Sequence, residues 1–149
     1  MPDEAPVPPP EEPIPSSPIG GPEPGPKSTS TGLPSNVAAA IACIPLVGGI
    51  IFYILEKHDS FVRFYAMQSI IFGGAWLLFN VASSIVHVIF GAIPGIGGIL
   101  VFFWAIIAAL VQIAFLVVWI VATIKAFTNV RWEIPYIGPI ARKQMEGAV

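Results

Sequence analysis

The feature that most constrains this chain is a long apolar run from residue 99 to residue 126. The run contains no proline, no glycine and no charge before Lys125, and its only polar side chains before that lysine are Gln112 and Thr123. About 18 apolar residues suffice to cross a bilayer as a helix. At about 1.5 Å per residue the run is ~40 Å long, so a helix here must tilt or emerge into the headgroups. The run therefore predicts an integral membrane protein.

The composition of the chain agrees with a membrane location and argues against catalysis. Charged residues make up 11% of the 149 residues and the mean hydropathy is +0.79, whereas soluble domains carry about 25% charged residues. The net charge of −2 is too small to indicate nucleic acid as a partner. The sequence shows no Ser-His-Asp set, carboxylate pair or metal-binding cluster, so we expect no enzyme activity, no catalytic or metal-binding residue and no cofactor.

Two shorter apolar segments precede the long run, and together the three segments predict the fold class. The first is slim, because alanine and glycine are frequent in it, and Pro45 should kink it, either as a packing device or as a gate. We expect an all-α membrane protein with three transmembrane helices in a small bundle. The helices are expected at about 37–55, 62–90 and 99–126, in a domain of residues 37–143 with an interfacial C-terminal segment at 127–149.

The N-terminal residues 1–36 have a different composition, with most of the chain's 16 prolines. Proline removes backbone hydrogen-bond donors, and the stretch has too few apolar side chains to build a core. It is therefore expected to be a disordered proline-rich tail. Residues 10–13 fit the PxxP spacing of a docking motif, although a spacer is the simpler interpretation.

Helical spacing gathers polar and small residues on one face of each of the last two segments. The second segment collects Gly73, Trp76, Asn80, Ser83 and His87 on this face. The third segment collects Ala105, Ala108, Ala109, Gln112, Trp119 and Thr123. Polar groups are costly against lipid, so the two faces should meet each other or a second subunit. In an antiparallel pair Asn80 and Gln112 differ in depth by only about 4–5 Å, which predicts a contact between them with Gly73 and Ala109 nearby. A solute or proton path through His87 is the alternative.

Two stretches resemble the motifs of a known family. Glu56-Lys57 followed by FVRFYAMQS at residues 61–69 resembles the FVRFHAMQS signature of small prokaryotic membrane proteins of unknown function, and WEIPYIG at residues 132–138 resembles their closing W-x-I-P-x-I-G motif. The family is distantly similar to the twenty-kilodalton subunit of the chloroplast inner-envelope protein translocon. Tyr65 stands where the family usually has histidine. The resemblance implies a helical bundle in a prokaryotic cell membrane, with interface residues Arg63, Tyr65, Gln68, Trp132, Pro135 and Gly138.

These features predict a structural or interaction subunit of a membrane assembly, which contacts the lipid bilayer and either further copies of itself or other membrane proteins. An oligomeric pore, transporter or translocation-related component is the alternative, because three helices are too few to enclose a pathway alone. Three crossings would place the loop at 56–63 and the C-terminus together on the side that holds most of the Lys and Arg residues. That side should be the cytoplasm, with the proline-rich tail outside.

Overall fold

The computed structural model of the chain describes residues 29–147, and this part is all-α. The helices are α1 Ser35–Ala42, α2 Val47–Leu55, α3 Ser60–Gly91, α4 Gly97–Phe127 and α5 Ile137–Gly147. Of the expected tail, residues 1–28 lie outside the described residues. The expectation of disorder is wrong for its last eight residues, because residues 29–33 form a hydrogen-bonded turn and α1 begins at Ser35.

Two of the described helices, α3 and α4, are long and apolar enough to cross a membrane. They form an antiparallel hairpin through the turn at 92–96, and each extends one or two residues beyond the range expected from sequence. The side chain of Asp59 caps α3, since its Oδ1 accepts from the backbone N–H groups of Phe61 at 2.9 Å and Val62 at 3.3 Å. The cap fixes the start of the first crossing helix beside the loop that precedes it.

The expected single helix at 37–55 is wrong, because the chain breaks between α1 and α2. Pro45 has no N–H to donate, and Leu46 takes the left-handed φ of 61° with ψ at −65°. The N–H of Val47 then donates to the Pro45 carbonyl at 2.8 Å, which closes a γ-turn. The proline therefore produces a full reversal of the chain where the sequence suggested a kink.

This reversal brings both ends of the first apolar segment to the same end of the molecule. Ser30, before α1, bonds to Glu56, after α2, and Asn36 Nδ2 donates to the carbonyl of Phe127 at the end of α4, at 3.1 Å. With eight and nine residues, α1 and α2 rise about 12–14 Å, roughly half of a ~30 Å hydrocarbon core. Residues 35–55 thus form a helical hairpin, which we name the re-entrant hairpin. Residues 29–147 contain no third helix long enough to cross a membrane, where the sequence predicted one.

The tip of the re-entrant hairpin is held by side chains of the two crossing helices. Trp119 Nε1 donates to the Cys43 carbonyl at 2.9 Å, and Ser69 Oγ donates to the Ile44 carbonyl at 3.1 Å. Irregular backbone at membrane depth requires such partners, because no water is present to satisfy its carbonyls. α3 and α4 therefore stabilise the break that the proline creates.

The same five-residue motif, I-P-x-[IV]-G, precedes or opens three of the helices. It occurs at residues 44–48, 93–97 and 134–138, where α2, α4 and α5 begin. Each central residue has a positive φ: 61° at Leu46, 85° at Gly95 and 68° at Tyr136. In each case the N–H of the final glycine donates to the carbonyl of the first isoleucine, at 2.8–3.1 Å. A Cβ at any of these three glycines would come within 2.3–2.5 Å of a neighbouring atom, so each glycine permits a tight return of the chain.

Candidate functional site

The two family motifs contact each other at the end of the bundle where the re-entrant hairpin begins and ends. Tyr65 and Gln68, one turn apart on α3, point at the extended segment 130–134. The Tyr65 hydroxyl donates to the Val130 carbonyl at 2.6 Å and accepts from the Trp132 N–H at 3.1 Å. Gln68 Nε2 donates to the Trp132 carbonyl at 3.4 Å, and its Oε1 accepts from the Ile134 N–H at 3.1 Å. We name this arrangement the motif lock.

The motif lock gives the extended segment the hydrogen bonds that a neighbouring strand would otherwise supply. Both side chains are fully buried, so an unpaired backbone group here would be costly. A tyrosine hydroxyl donates and accepts through one atom, whereas a histidine ring divides these roles between two nitrogens. Tyr65 therefore bridges two backbone groups through its hydroxyl, a role that does not require the histidine usual at this position in the family.

The closing motif holds the start of α5 against the motif lock. Ile134 is buried, whereas Pro135 and Tyr136 are exposed, and Gly138 lies against the side chain of Glu133, where a Cβ would clash. Glu133 in turn pairs with Arg142 on α5 at 3.5 Å. Arg63, the remaining residue of the predicted interface, lies outside the lock, with its guanidinium 5.0 Å from the centre of the Tyr53 ring.

A second polar cluster, the Glu56 latch, joins the N-terminal segment to the loop between α2 and α3. The fully buried Glu56 carboxylate accepts from the N–H and the hydroxyl of Ser30, both at 2.9 Å, and from the N–H groups of His58 at 3.2 Å and Asp59 at 3.1 Å. Burial raises the pKa of this carboxyl, but the four hydrogen bonds together hold it below its ordinary value. Glu56 belongs to the stretch that resembles the family signature, but nothing in the sequence indicates that its side chain is buried.

The lowered pKa makes the latch dependent on pH. Its contribution to the free energy of unfolding is complete above about pH 4.3, the ordinary pKa of a glutamate, and is lost as the pH falls through the lower pKa of the folded state. Glu56→Gln should lower the free energy of unfolding by about 1–3 kcal/mol at pH 7, because an amide nitrogen cannot accept the donors that face it. Limited proteolysis of the N-terminal segment against pH measures both effects.

Glu146→Gln on α5 is the matched control for the latch. It makes the same change from carboxylate to amide, but the Glu146 side chain is exposed. It should leave the proteolysis profile unchanged at every pH. Equal profiles for the two variants would show that Glu56 does not hold the N-terminal segment.

In the middle of the crossing helices, the predicted contact between Asn80 and Gln112 is present. Gln112 Nε2 donates to Asn80 Oδ1 at 2.8 Å, and Gln112 Oε1 accepts from the Trp76 indole at 2.8 Å. Asn80 Nδ2 donates to the Trp76 carbonyl of its own helix at 2.7 Å. The two amides therefore satisfy each other within one chain.

Three small residues of the two predicted faces, Gly73, Ala105 and Ala109, lie away from this contact. Gly73 packs against the tip of the re-entrant hairpin, where its ideal Cβ would be 2.7 Å from the Leu46 nitrogen, and not beside Ala109. Ala105 and Ala109 are exposed, because the seam of α4 centres on residues rotated by about −20° to −80° from Gln112, such as Ala108, Phe115 and Trp119. The small pair expected at the interface is therefore on the exposed side of α4.

Two polar residues of the predicted face lie near the far end of α3, and only one of them has a hydrogen bond to α4. Ser83 Oγ accepts from the Trp104 indole at 3.1 Å, which links α3 to α4. His87 Nδ1 lies 2.9 Å from the Ser83 carbonyl of its own helix. His87 therefore lies in no chain of polar groups across the bundle.

An open groove lies between the tip of the re-entrant hairpin and the crossing helices. Its volume is about 390 Å³, and its walls are mostly aromatic, formed by Pro45, Phe72, Trp76, Gln112, Phe115, Leu116 and Trp119. The polar groups that border it are already bonded to one another or to the Cys43 carbonyl. Within residues 29–147 no three His, Cys, Asp or Glu side chains come together in a way that could hold a metal ion.

Comparison with known proteins assigns the chain to a family. The sequence pattern of the magnetosome magnetite crystal formation protein family matches residues 28–141. The chain belongs to this family. The match covers the Glu56 latch, the re-entrant hairpin, both long helices and the motif lock, and it ends one residue before Arg142.

The chain is also similar to small membrane proteins of archaea. The UPF0132 membrane protein MJ1443 of Methanocaldococcus jannaschii is 38% identical over 117 residues, which cover 77% of this chain and 92% of that protein. A UPF0132 membrane protein of Archaeoglobus fulgidus is 35% identical over 114 residues, which cover 75% and 96%. MJ1527 of Methanocaldococcus jannaschii is 39% identical over 97 residues, which cover 65% of this chain and 59% of that protein. None of these three is named as a translocon component. No solved structure matches the chain.

Proposed function

We propose that this protein is a structural or interaction subunit of a membrane assembly. The observation that supports the proposal is the contrast between its satisfied polar groups and its open apolar flanks. The motif lock, the Glu56 latch and the Asn80–Gln112 pair direct their hydrogen bonds inward. In contrast, only 6% of the most apolar 18-residue stretch of α4 is buried within the chain. Such a flank is available to lipid or to another membrane helix.

A pore or transporter is the second candidate, and two observations favour it. The chain has a broken helix that reverses near mid-membrane, a feature that transporters use to build binding sites. The adjoining groove of about 390 Å³ could accept a small apolar group. Against this candidate, the amides of Asn80 and Gln112 bond to each other within one chain, and two long helices are too few to enclose a pore without further copies.

The name of the family concerns magnetite crystal formation, but this chain offers little chemistry for mineral contact at its far end. A surface that binds iron oxide would present carboxylate oxygens. The turn at 92–96 contains only alanine, isoleucine, proline and glycine. We therefore extend to this chain a role in the membrane, and we propose no mineral contact through the turn at 92–96.

The distribution of basic residues supports one orientation of the assembly subunit. In the described part of the chain, the lysines and arginines are Lys57, Arg63, Lys125, Arg131, Arg142 and Lys143. All of them belong to the end that carries the latch and the lock, and the turn at 92–96 has none. By the positive-inside bias, that end faces the cytoplasm of a prokaryotic cell membrane, together with both ends of the described chain.

Two experiments together test the proposed function. Purified protein in liposomes should pass no ions or small solutes, and a membrane-permeant crosslinker applied to native membranes should give products larger than the monomer. Flux that depends on the amount of protein would favour the transporter instead. Absence of both flux and crosslinked products would contradict the assembly role.

A further inference from the structure

The packing of the protein is concentrated at one end of its long axis. The buried apolar side chains come from the re-entrant hairpin, the first turns of α3, the last turns of α4, segment 130–134 and α5. Between residues 74 and 121, in contrast, only Ser83 and Gly97 are buried. One half of the molecule is therefore a multi-element bundle, whereas the other half is a bare pair of helices.

The outer surface of the re-entrant hairpin favours a location of this broad half within the bilayer. Val47, Ile51 and Ile54 are 46–64% exposed, although the segment carries no charge. Exposed side chains of this kind require hydrocarbon around them. With a rise of about 12–14 Å, the hairpin occupies one leaflet and ends near the midplane.

The cross-section of the protein therefore differs between the two leaflets. At the latch end the membrane holds four helices, α1 to α4, with α5 and segment 130–134 packed beside them. At the far end it holds only α3 and α4. Each helix is about 10 Å across, so the area displaced in one leaflet is roughly twice that in the other. The molecule has the shape of a wedge.

We propose that this wedge couples the protein to membrane curvature, and that its partner is a bilayer that is convex on the side of the latch. In a flat bilayer the broad half crowds the lipids of its leaflet. In a convex leaflet the lipids are spread apart, so the broad half fits with less strain. A difference in free energy between flat and curved membranes shifts the distribution of the protein toward the curved one. At high density the same difference bends the membrane.

The proposal commits to lipid geometry and not to a particular headgroup. The surface that carries it is apolar and uncharged along the re-entrant hairpin, so anionic lipids have nothing to bind there. The inference goes beyond the assembly role, because a single copy already has the asymmetric shape.

Tubes pulled from giant vesicles test the proposal with the full chain. The protein carries a fluorescent protein after Val149 and inserts in both orientations, and a membrane-impermeant quencher distinguishes them. Molecules with the latch end outward should be enriched on the convex tube by about twofold or more over the flat membrane. Molecules with the latch end inward should be depleted from the same tube.

The two orientations are the matched control, since the folded protein is identical in both. Opposite sorting of the two populations supports the wedge. Equal densities on tube and vesicle, or the same sorting for both orientations, would overturn it. The vesicles are made of neutral phosphatidylcholine, so the basic residues at the latch end have no anionic lipid to bind and the shape of the membrane alone sorts the two populations.

Discussion

Tyr65→Phe should lower the free energy of unfolding by about 2–4 kcal/mol, because the hydroxyl of this fully buried side chain serves two backbone groups. Its loss leaves the Val130 carbonyl and the Trp132 N–H without their partner, while the ring itself keeps its place. Thermal unfolding in a mild detergent, followed by circular dichroism, measures the loss. Protease cleavage in segment 130–134 should begin at a lower temperature than cleavage elsewhere.

Tyr136→Phe provides the control for this prediction, since it makes the same chemical change at a side chain that is 89% exposed. It should leave the unfolding temperature unchanged. If Tyr65→Phe is as stable as Tyr136→Phe, segment 130–134 is not held by the motif lock, and the interpretation of the two family motifs as one interlocked unit fails.

Gly73→Ala should detach the tip of the re-entrant hairpin. The added Cβ would lie 2.7 Å from the backbone nitrogen of Leu46 and 2.7 Å from the Cγ of Leu46. The backbone nitrogen cannot move aside as a side-chain atom can. Overpacking of this kind costs about 1–3 kcal/mol. Cys43 is buried beside the break and is the chain's only cysteine. Its rate of reaction with a membrane-permeant maleimide should therefore rise in the variant.

Gly74→Ala is the neighbouring control, because a Cβ there meets no atom within 4 Å. Alanine is also preferred over glycine inside a helix by about 0.5–1 kcal/mol, so this variant should be slightly more stable than the parent chain. Equal Cys43 reactivity in the two variants would show that the hairpin tip does not rest on Gly73.

The crossing helices could be predicted from the sequence, whereas the re-entrant hairpin could not be predicted from hydropathy. A segment of nineteen apolar residues has the same composition whether it crosses the bilayer or turns back within it. The positive φ of Leu46 decides that the segment turns back. This conformation occurs at the central position of the motif, between Pro45 and Gly48. The repeated I-P-x-[IV]-G motif was the available signal, because Gly95 occupies the same position in the turn between α3 and α4.

The candidate site was predictable in part for a similar reason. The depths of Asn80 and Gln112 follow from helix rise and an antiparallel turn, so their contact could be calculated. The rotation of α4 depends on which aromatic side chains pack against α3, and a helical projection of one chain does not contain that information. The partners of Tyr65 and Gln68 are backbone groups of segment 130–134. Every residue has the same backbone groups, so the sequence does not indicate which of them Tyr65 and Gln68 contact. The contact between the two family motifs could therefore not be predicted.

The re-entrant hairpin is the central claim, and single cysteines in a Cys43→Ala background test it most directly. The positions are Thr31 before α1, Pro94 in the turn between the crossing helices and Lys143 on α5. A membrane-impermeant maleimide is applied to intact cells and then to permeabilised cells. We predict that Pro94→Cys reacts in intact cells, and that Thr31→Cys and Lys143→Cys react only after permeabilisation. Reaction of Thr31→Cys together with Pro94→Cys would show that residues 35–55 cross the membrane, and would contradict the hairpin.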